Sequence, residues 1–350
     1  MKNKILKKQL IIFFVIAFGI PLLMGPLLYI AKSNNQGFET IPILQMYTPA
    51  LGAMAAMFLT TRKSENFPKI PFIIYIVFTI IIFGLTLVSV FFLGQLEQIV
   101  SIVVLVSSIF LLLGILGEKK KKRIAYNLDL KNFRKVVLVV LLFIVLYFLR
   151  IGIYHLFSSD ISGFLAYFSI EKVGYALSLI FAFFLSMAPF FGEEYGWRYF
   201  LQPILQKKFG MVKGLIVLGI LWGLWHLPLN LFYYSAQGSE IYSLVNQIFI
   251  CIGFSVIFGF AYGYTGSIWA PVLMHFFNNN LILFFTDTMD TTVIQNQELN
   301  FETVIVNAVL SLVLYGVFVF SKYNRDKKYR VPTPNERLEQ MEVGIYDEIE

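Results

Sequence analysis

Three strings in this chain hold residue types that can do chemistry together. In Phe190-Phe191-Gly192-Glu193-Glu194-Tyr195-Gly196-Trp197-Arg198, two adjacent carboxylates precede a guanidinium. In Trp222-Gly223-Leu224-Trp225-His226-Leu227-Pro228 an imidazole follows two indoles, and in Met274-His275-Phe276-Phe277-Asn278-Asn279 a second imidazole is followed by two carboxamides. A carboxylate can draw a proton from water and an imidazole can hold and polarise that water. Imidazole and amide donors side by side can stabilise an oxyanion. These are the parts of hydrolysis by an activated water, which needs no serine or cysteine nucleophile. Ser186 and Cys251 have no histidine at an obvious matching position.

The elements that hold these residues belong to a membrane. Of 350 residues 58% are apolar and 14% charged, with a mean hydropathy of +0.73, more apolar surface than one water-soluble core can hide. Lipid must be the solvent, and the length leaves room for about ten spans of ~20 residues, each crossing a ~30 Å hydrocarbon layer. Apolar runs lie at roughly 9 to 31, 41 to 60, 71 to 94, 98 to 116, 136 to 157, 173 to 192, 214 to 232, 244 to 262, 267 to 285 and 302 to 320. Helices are expected, because backbone amides in hydrocarbon have no water to bond and the runs lack the alternation of a membrane barrel. Pro42, Pro49 and Pro271 leave the second and ninth runs open to shortening or kinking. The first run is too long for a signal-peptide core and has no small-residue cleavage site behind it, so it is expected to be retained. Cys251, the single cysteine, lies inside the eighth run as a small apolar residue. The expected fold is an all-α polytopic integral membrane protein of about ten transmembrane helices, with a polar site in the helix bundle.

Orientation follows from lysine and arginine, which resist translocation. Threading ten spans with the N-terminus inside gathers Lys2, Lys4, Lys7, Lys8, Arg62, Lys63, Lys69, the run Lys119 to Arg123, Lys131, Arg134, Lys135, Lys207, Lys208, Lys213 and Lys322 to Arg330 on the cytoplasmic side. Lys32, Arg150 and Lys172 fall on the other. Both termini are therefore expected in the cytoplasm, of a bacterial cell membrane. The net charge of +7 reads as cytoplasmic loops facing an anionic leaflet, with membrane lipid as a partner and no nucleic acid. Residues 322–350 read as a charged cytoplasmic tail of uncertain order, and His155, near the outer end of the fifth run, as interfacial and idle.

An ionisable side chain at membrane depth costs free energy that pairing, hydration or function has to offset. His226 is expected about 18 Å and His275 about 12 Å into the layer at 1.5 Å per residue. In chain order the strings read Glu-Glu-x-x-x-Arg, aromatic-x-x-x-His and His-x-x-x-Asn on hydrophobic segments. This pattern resembles the CPBP family of intramembrane peptidases, the CaaX-protease and bacteriocin-processing, Abi-like type. The resemblance covers roughly residues 170 to 290 and includes Leu224-Trp225-His226-Leu227-Pro228. It departs at Trp222, where the family usually has Phe. It implies a catalytic helix bundle over 170–290, and the apolar runs and charge add N-terminal transmembrane helices over 1–169, a last span over 291–321 and the tail over 322–350.

The resemblance gives the catalytic role to the position of Glu193, and local geometry agrees with it. Glu194 and Arg198 are four apart in acid-before-base order and share a helix face, in a supporting pair. Glu193 points about 100° round the helix and is left free. The implied mechanism has Glu193 as general base, His226 helping to hold the water, and His275 with Asn279 stabilising the oxyanion. Spacing puts Asn279 on the face of His275; the resemblance selects it over Asn278. Asn278 and Asn280 are expected to bond neighbouring helices.

No cofactor is expected. The competing mechanism is a zinc site built from Glu193, His226 and His275 with an open position for water, although no His-Glu-x-x-His segment is present. The plainer alternative is a non-catalytic membrane immunity factor or scaffold, its acids capping a helix end and its histidines packing. A transporter is set aside because no inverted repeat is visible. The expected substrate is a hydrophobic or lipidated peptide, membrane-associated or secreted.

Overall fold

The computed structural model describes residues 2–34, 38–93, 96–286 and 291–343. Among these the elements are helical, with one isolated bridge between Ser235 and Gln297. Helix α1 (Lys2–Ala17) continues into α2 (Gly19–Ser33), and α3 (Thr40–Thr61), α4 (Lys69–Val88) and α5 (Glu97–Gly117) follow. The short α6 (Lys120–Ala125) carries most of the basic run, ahead of α7 (Phe133–Phe157), α8 (Ile161–Ala166) and α9 (Ile170–Glu194). A π-helical stretch, Tyr195–Leu201, joins α9 to α10 (Gln202–Phe209). Then come α11 (Met211–Trp225), α12 (Leu227–Phe232), α13 (Glu240–Thr265), α14 (Trp269–Leu281) and α15 (Phe301–Leu314). Two short helices, α16 (Lys322–Arg325) and α17 (Pro334–Glu342), follow them.

Eight helical runs among the described residues are long and apolar enough to cross a bilayer: Lys4–Ser33, Thr40–Thr61, Lys69–Phe92, Glu97–Gly117, Phe133–Phe157, Ile170–Phe209, Glu240–Thr265 and Phe301–Phe320. Their outer faces carry large apolar side chains, with Phe92 79% and Phe181 75% exposed, a surface that lipid covers. The protein is a multi-pass integral membrane protein. The seventh and ninth expected runs fold into shorter helices. The seventh breaks at His226 between α11 and α12, where Pro228 has no amide to continue the ladder. The ninth is the 13-residue α14, which tightens into a 3-10 turn at Ile282–Phe285. Pro49, by contrast, is carried inside the 22-residue α3.

The loops collect at two ends of the bundle. At one, Gln9 of α1 bonds Thr60 of α3 at 2.9 Å and exchanges amide hydrogen bonds with Asn335 of α17. There too Lys207 reaches Glu336 at 2.8 Å, and Asn324 donates to the Val256 carbonyl at 2.9 Å. Residues 322–343, expected to be of uncertain order, are thus folded onto the bundle, and the described N- and C-terminal segments share one end. At the opposite end Lys32 bonds Asn296 at 2.8 Å, the Gln297 amide bonds the Tyr234 carbonyl at 2.7 Å, and Lys172 donates to the Thr286 carbonyl.

Glycine decides how closely the site-bearing helix approaches its neighbour. Gly192 faces the Met46 carbonyl and the Tyr75 hydroxyl, and Gly196 faces Pro49; neither position has room for a Cβ. This contact presses the end of α9 and the π stretch against α3, with Glu193 and Glu194 in the same turn.

Candidate active site

Glu193 and Glu194 close α9 beyond a kink. Ser186 leaves helical geometry (φ −137°, ψ 19°) three residues before Pro189, whose ring displaces the preceding turn. In the π stretch that follows, Arg198 Nε donates to Glu194 Oε2 at 2.7 Å, and neither side chain is exposed. The pair expected from four-residue spacing is therefore formed, but it is half of a larger arrangement. His275 Nδ1 on α14 is 2.8 Å from Glu194 Oε1, and Arg198 Nη1 donates to Ser255 Oγ on α13 at 3.3 Å. One carboxylate holds a guanidinium and an imidazole with its two oxygens, a strong, charge-assisted geometry.

Trp222 of α11 touches both halves of the cluster. Its indole N–H donates to Glu193 Oε2 at 2.9 Å. Its ring lies 4.7 Å from the Arg198 guanidinium carbon, with the Phe258 ring at 5.4 Å from the same atom. Four helices thus contribute to one buried polar cluster, which offsets the cost of placing charge in the bundle.

The break after α11 positions His226. Its amide turns to the Gly223 carbonyl at 3.1 Å, and the Trp222 carbonyl, which a continuing helix would pair with that amide, takes the imidazole Nδ1 at 2.9 Å instead. A carbonyl only accepts, so Nδ1 carries the proton and Nε2 presents a lone pair. Asn230 Nδ2 donates to the His226 carbonyl at 3.0 Å, while its Oδ1 accepts from Ser243 Oγ at 2.7 Å.

Glu193, His226, His275 and Asn279 line one cavity of about 380 Å³, together with Trp222 and Arg150. That volume is in the range of small-ligand sites. Glu194 and Arg198 stand behind its wall. Asn279 Oδ1 accepts from Asn278 Nδ2 at 2.9 Å, which leaves the Asn279 amide protons for the cavity. Asn278 and Asn280 do not bond neighbouring helices through their amides as expected: Asn278 bonds Asn279, and Asn280 Nδ2 bonds the Phe276 carbonyl one turn back. His155, expected to be idle, meets Asp160 at 3.3 Å at the end of α7, away from the cavity.

Sequence reasoning passed over Trp222 as a conservative aromatic change. Its indole N–H, one helical turn before His226, was the available signal. It also missed the bond from His275 to Glu194 and the polar support from Asn230 and Ser243. Among the described residues no three of His, Cys, Asp and Glu come together so as to hold a metal ion. Glu193 Oε2 is taken by Trp222 and both histidine Nδ1 atoms are engaged, which leaves Glu193 Oε1 and the two Nε2 atoms without these partners.

Residues 175–281 match the family model described as type II CAAX prenyl endopeptidase Rce1-like. That segment contains Glu193, Glu194, Arg198, His226, His275 and Asn279. The segment that carries the site is therefore similar to the CAAX prenyl endopeptidases. A curated relative, CAAX prenyl protease 2 of Methanococcus maripaludis, is 27% identical over 205 residues, which are 56% of this chain and 69% of that protein. No solved structure matches the chain. The matched segment runs from α9 to the end of α14 and so includes every helix of the polar cluster.

Proposed function

We propose that this protein is an intramembrane endopeptidase that cleaves a peptide bond with a water activated by Glu193, without a metal. The observation that carries this reading is that a buried Glu193, its Oε2 held by Trp222, lines the same cavity as His226, whose Nδ1 is held by the Trp222 carbonyl. A water between them donates one hydrogen to each and turns its oxygen lone pair toward the scissile carbonyl. As the carbon–oxygen bond forms, Glu193 takes a proton. The carbonyl oxygen becomes an oxyanion facing the Asn279 amide and His275 Nε2. Because His275 Nδ1 already faces Glu194, donation from Nε2 requires the imidazolium, and Glu194 supplies the counter-charge. Collapse breaks the carbon–nitrogen bond, and the proton held by Glu193 goes to the leaving amine. Glu194 and Arg198 orient this set without touching the reacting atoms.

The end of the bundle that carries Gln9, Lys207 and Glu336 is the cytoplasmic one in this reading, on the weight of its basic residues. The cavity reaches the other end: Pro42, Ser243, Asn279 and Asn307 lie on the far halves of their helices, with Gln297 beyond them. The substrate class this supports is a hydrophobic or lipidated peptide that is membrane-associated or secreted, entering from the extracytoplasmic side. Glu193→Gln keeps size and hydrogen bonding but removes the base, so cleavage of membrane peptides in cells and by purified protein should vanish while expression and detergent stability stay near wild type. Chelation should leave wild-type activity intact. Full biological function in Glu193→Gln would replace this reading by that of a membrane scaffold or immunity factor.

A further inference from the structure

A groove of about 870 Å³ lies on the flank of the bundle between α1, α10 and the start of α17. It shares no lining residue with the cavity. Its wall on α1 is one helix face, because Lys7, Leu10, Ile11, Phe14 and Val15 follow at steps that return to the same side. Ile204 of α10 completes the apolar part. Ile11 is 55% and Val15 65% exposed, so the groove opens sideways onto lipid.

The other end of the groove is charged. Lys7, Lys207 and Lys208 line it together with Glu336 and Glu339. Glu336 is already held by both terminal nitrogens of Arg330 and by Lys207. Among the described residues neither Lys7 nor Lys208 has a carboxylate within ion-pair distance, and Lys208 Nζ lies 5.1 Å from the centre of the adjacent Phe209 ring. These ammonium groups stand at the bundle end that gathers the basic loops, hence at a membrane surface. From Lys7 to Val15 the apolar face runs about 12 Å toward the membrane interior at 1.5 Å per residue. An apolar groove open to a bilayer takes up an acyl chain whatever the lipid, and the headgroup that then falls beside Lys7 and Lys208 is selected by charge.

We propose that this groove is a site for one phospholipid with an anionic headgroup, its phosphate between Lys7 and Lys208 and one acyl chain along Leu10, Ile11 and Phe14. On α1 the neighbouring Phe13 stacks on Phe200 at 4.8 Å and meets Trp197 edge-on at 5.8 Å. The lipid therefore clamps α1 to the stretch that carries Arg198 and stabilises the folded bundle. This holds whatever reaction the cavity performs.

The test uses the full chain in dodecyl maltoside, titrated with dioleoyl phosphatidylglycerol or dioleoyl phosphatidylcholine. Native mass spectrometry counts the retained lipid and melting is followed in parallel. Phosphatidylglycerol is expected to be retained in preference and to raise the melting temperature. Lys7→Gln with Lys208→Gln should weaken its binding about five- to thirtyfold and leave phosphatidylcholine unchanged. Lys7→Arg with Lys208→Arg, which keeps the charge and guards against misfolding of the neutral variant, should retain the preference. Lys63→Gln with Lys69→Gln, exposed lysines at the same end but outside the groove, should change neither lipid. Ile11→Ser with Val15→Ser should weaken both. Equal retention of the two lipids, or equal loss from the groove pair and the outside pair, overturns the site in favour of a general lipid coat. Displacement of phosphatidylglycerol by an equal concentration of glycerol 3-phosphate overturns it in favour of a free-anion site.

Discussion

Trp222 donates its indole N–H to Glu193 Oε2 while its ring lies against Arg198, so one side chain bears on both the proposed base and the ion pair behind it. The two contacts can be separated by substitution. Trp222→Phe keeps a ring for Arg198 but drops the donor to the carboxylate, and is expected to lower kcat about tenfold with little change in melting temperature. Trp222→Ala removes both and should lower stability as well; equal kcat in Trp222→Phe and wild type would detach the indole N–H from catalysis. Glu194→Gln and Arg198→Ala belong to a different class. Each leaves a charged partner buried and uncompensated, a cost of about 3–5 kcal/mol. Both should therefore melt earlier in detergent and lose activity together, and a stable but inactive Arg198→Ala would instead bring the guanidinium into the chemistry.

On α17 one carboxylate, Glu336, gathers hydrogen bonds from three residues. Arg330 Nη1 and Nη2 reach Glu336 Oε2 and Oε1 at 2.9 and 3.0 Å, Lys207 adds 2.8 Å, and the Thr333 amide closes a capping box at 2.8 Å. Burial works against the Glu336 charge, but the hydrogen bonds from Arg330, Lys207 and Thr333 outweigh it and hold its pKa down at about 2, against an ordinary 4.5. A carboxyl whose folded-state pKa is depressed stabilises the folded form above its unfolded value and loses that contribution as pH falls through the folded one. Glu336→Gln should therefore expose the tail to proteolysis at pH 7, with the difference from wild type narrowing below about pH 4.5 and closing near pH 2. The same gap at pH 7 and pH 3 would mean that the docking is carried by packing of Leu338 and Met341, both buried.

The whole bundle has two unlike ends, one gathering the basic loops and the docked tail, the other gathering the loops through which the cavity is reached. In a Cys251→Ala background, Gln297→Cys should react with a membrane-impermeant maleimide in intact cells, and Lys327→Cys only after permeabilisation. The reverse pattern would invert the orientation and move substrate entry to the cytoplasmic side. Electrostatics supplies the asymmetry, since lysine and arginine near span ends set which loops cross.

Hydropathy and four-residue spacing are local properties, and what depended on them was legible before the structure: the apolar runs, the helical class, the Glu194–Arg198 pair, and the three strings that the family match encloses. Pro228 was visible too, although the break it makes at His226, which frees the Trp222 carbonyl for the imidazole, was not foreseen. The contacts that complete the site join distant positions. His275 meets Glu194 across 81 residues, Trp222 meets Glu193 across 29, and Arg150 shares their cavity from a helix outside the matched segment. Such contacts depend on how each helix is rotated and how closely it approaches its neighbours. Lipid gives little preference between one apolar face and another, so that choice falls to close packing, at places such as Gly192 and Gly196 against α3. A hydropathy profile records that a helix is apolar, and only the assembled bundle determines which of its polar residues meet.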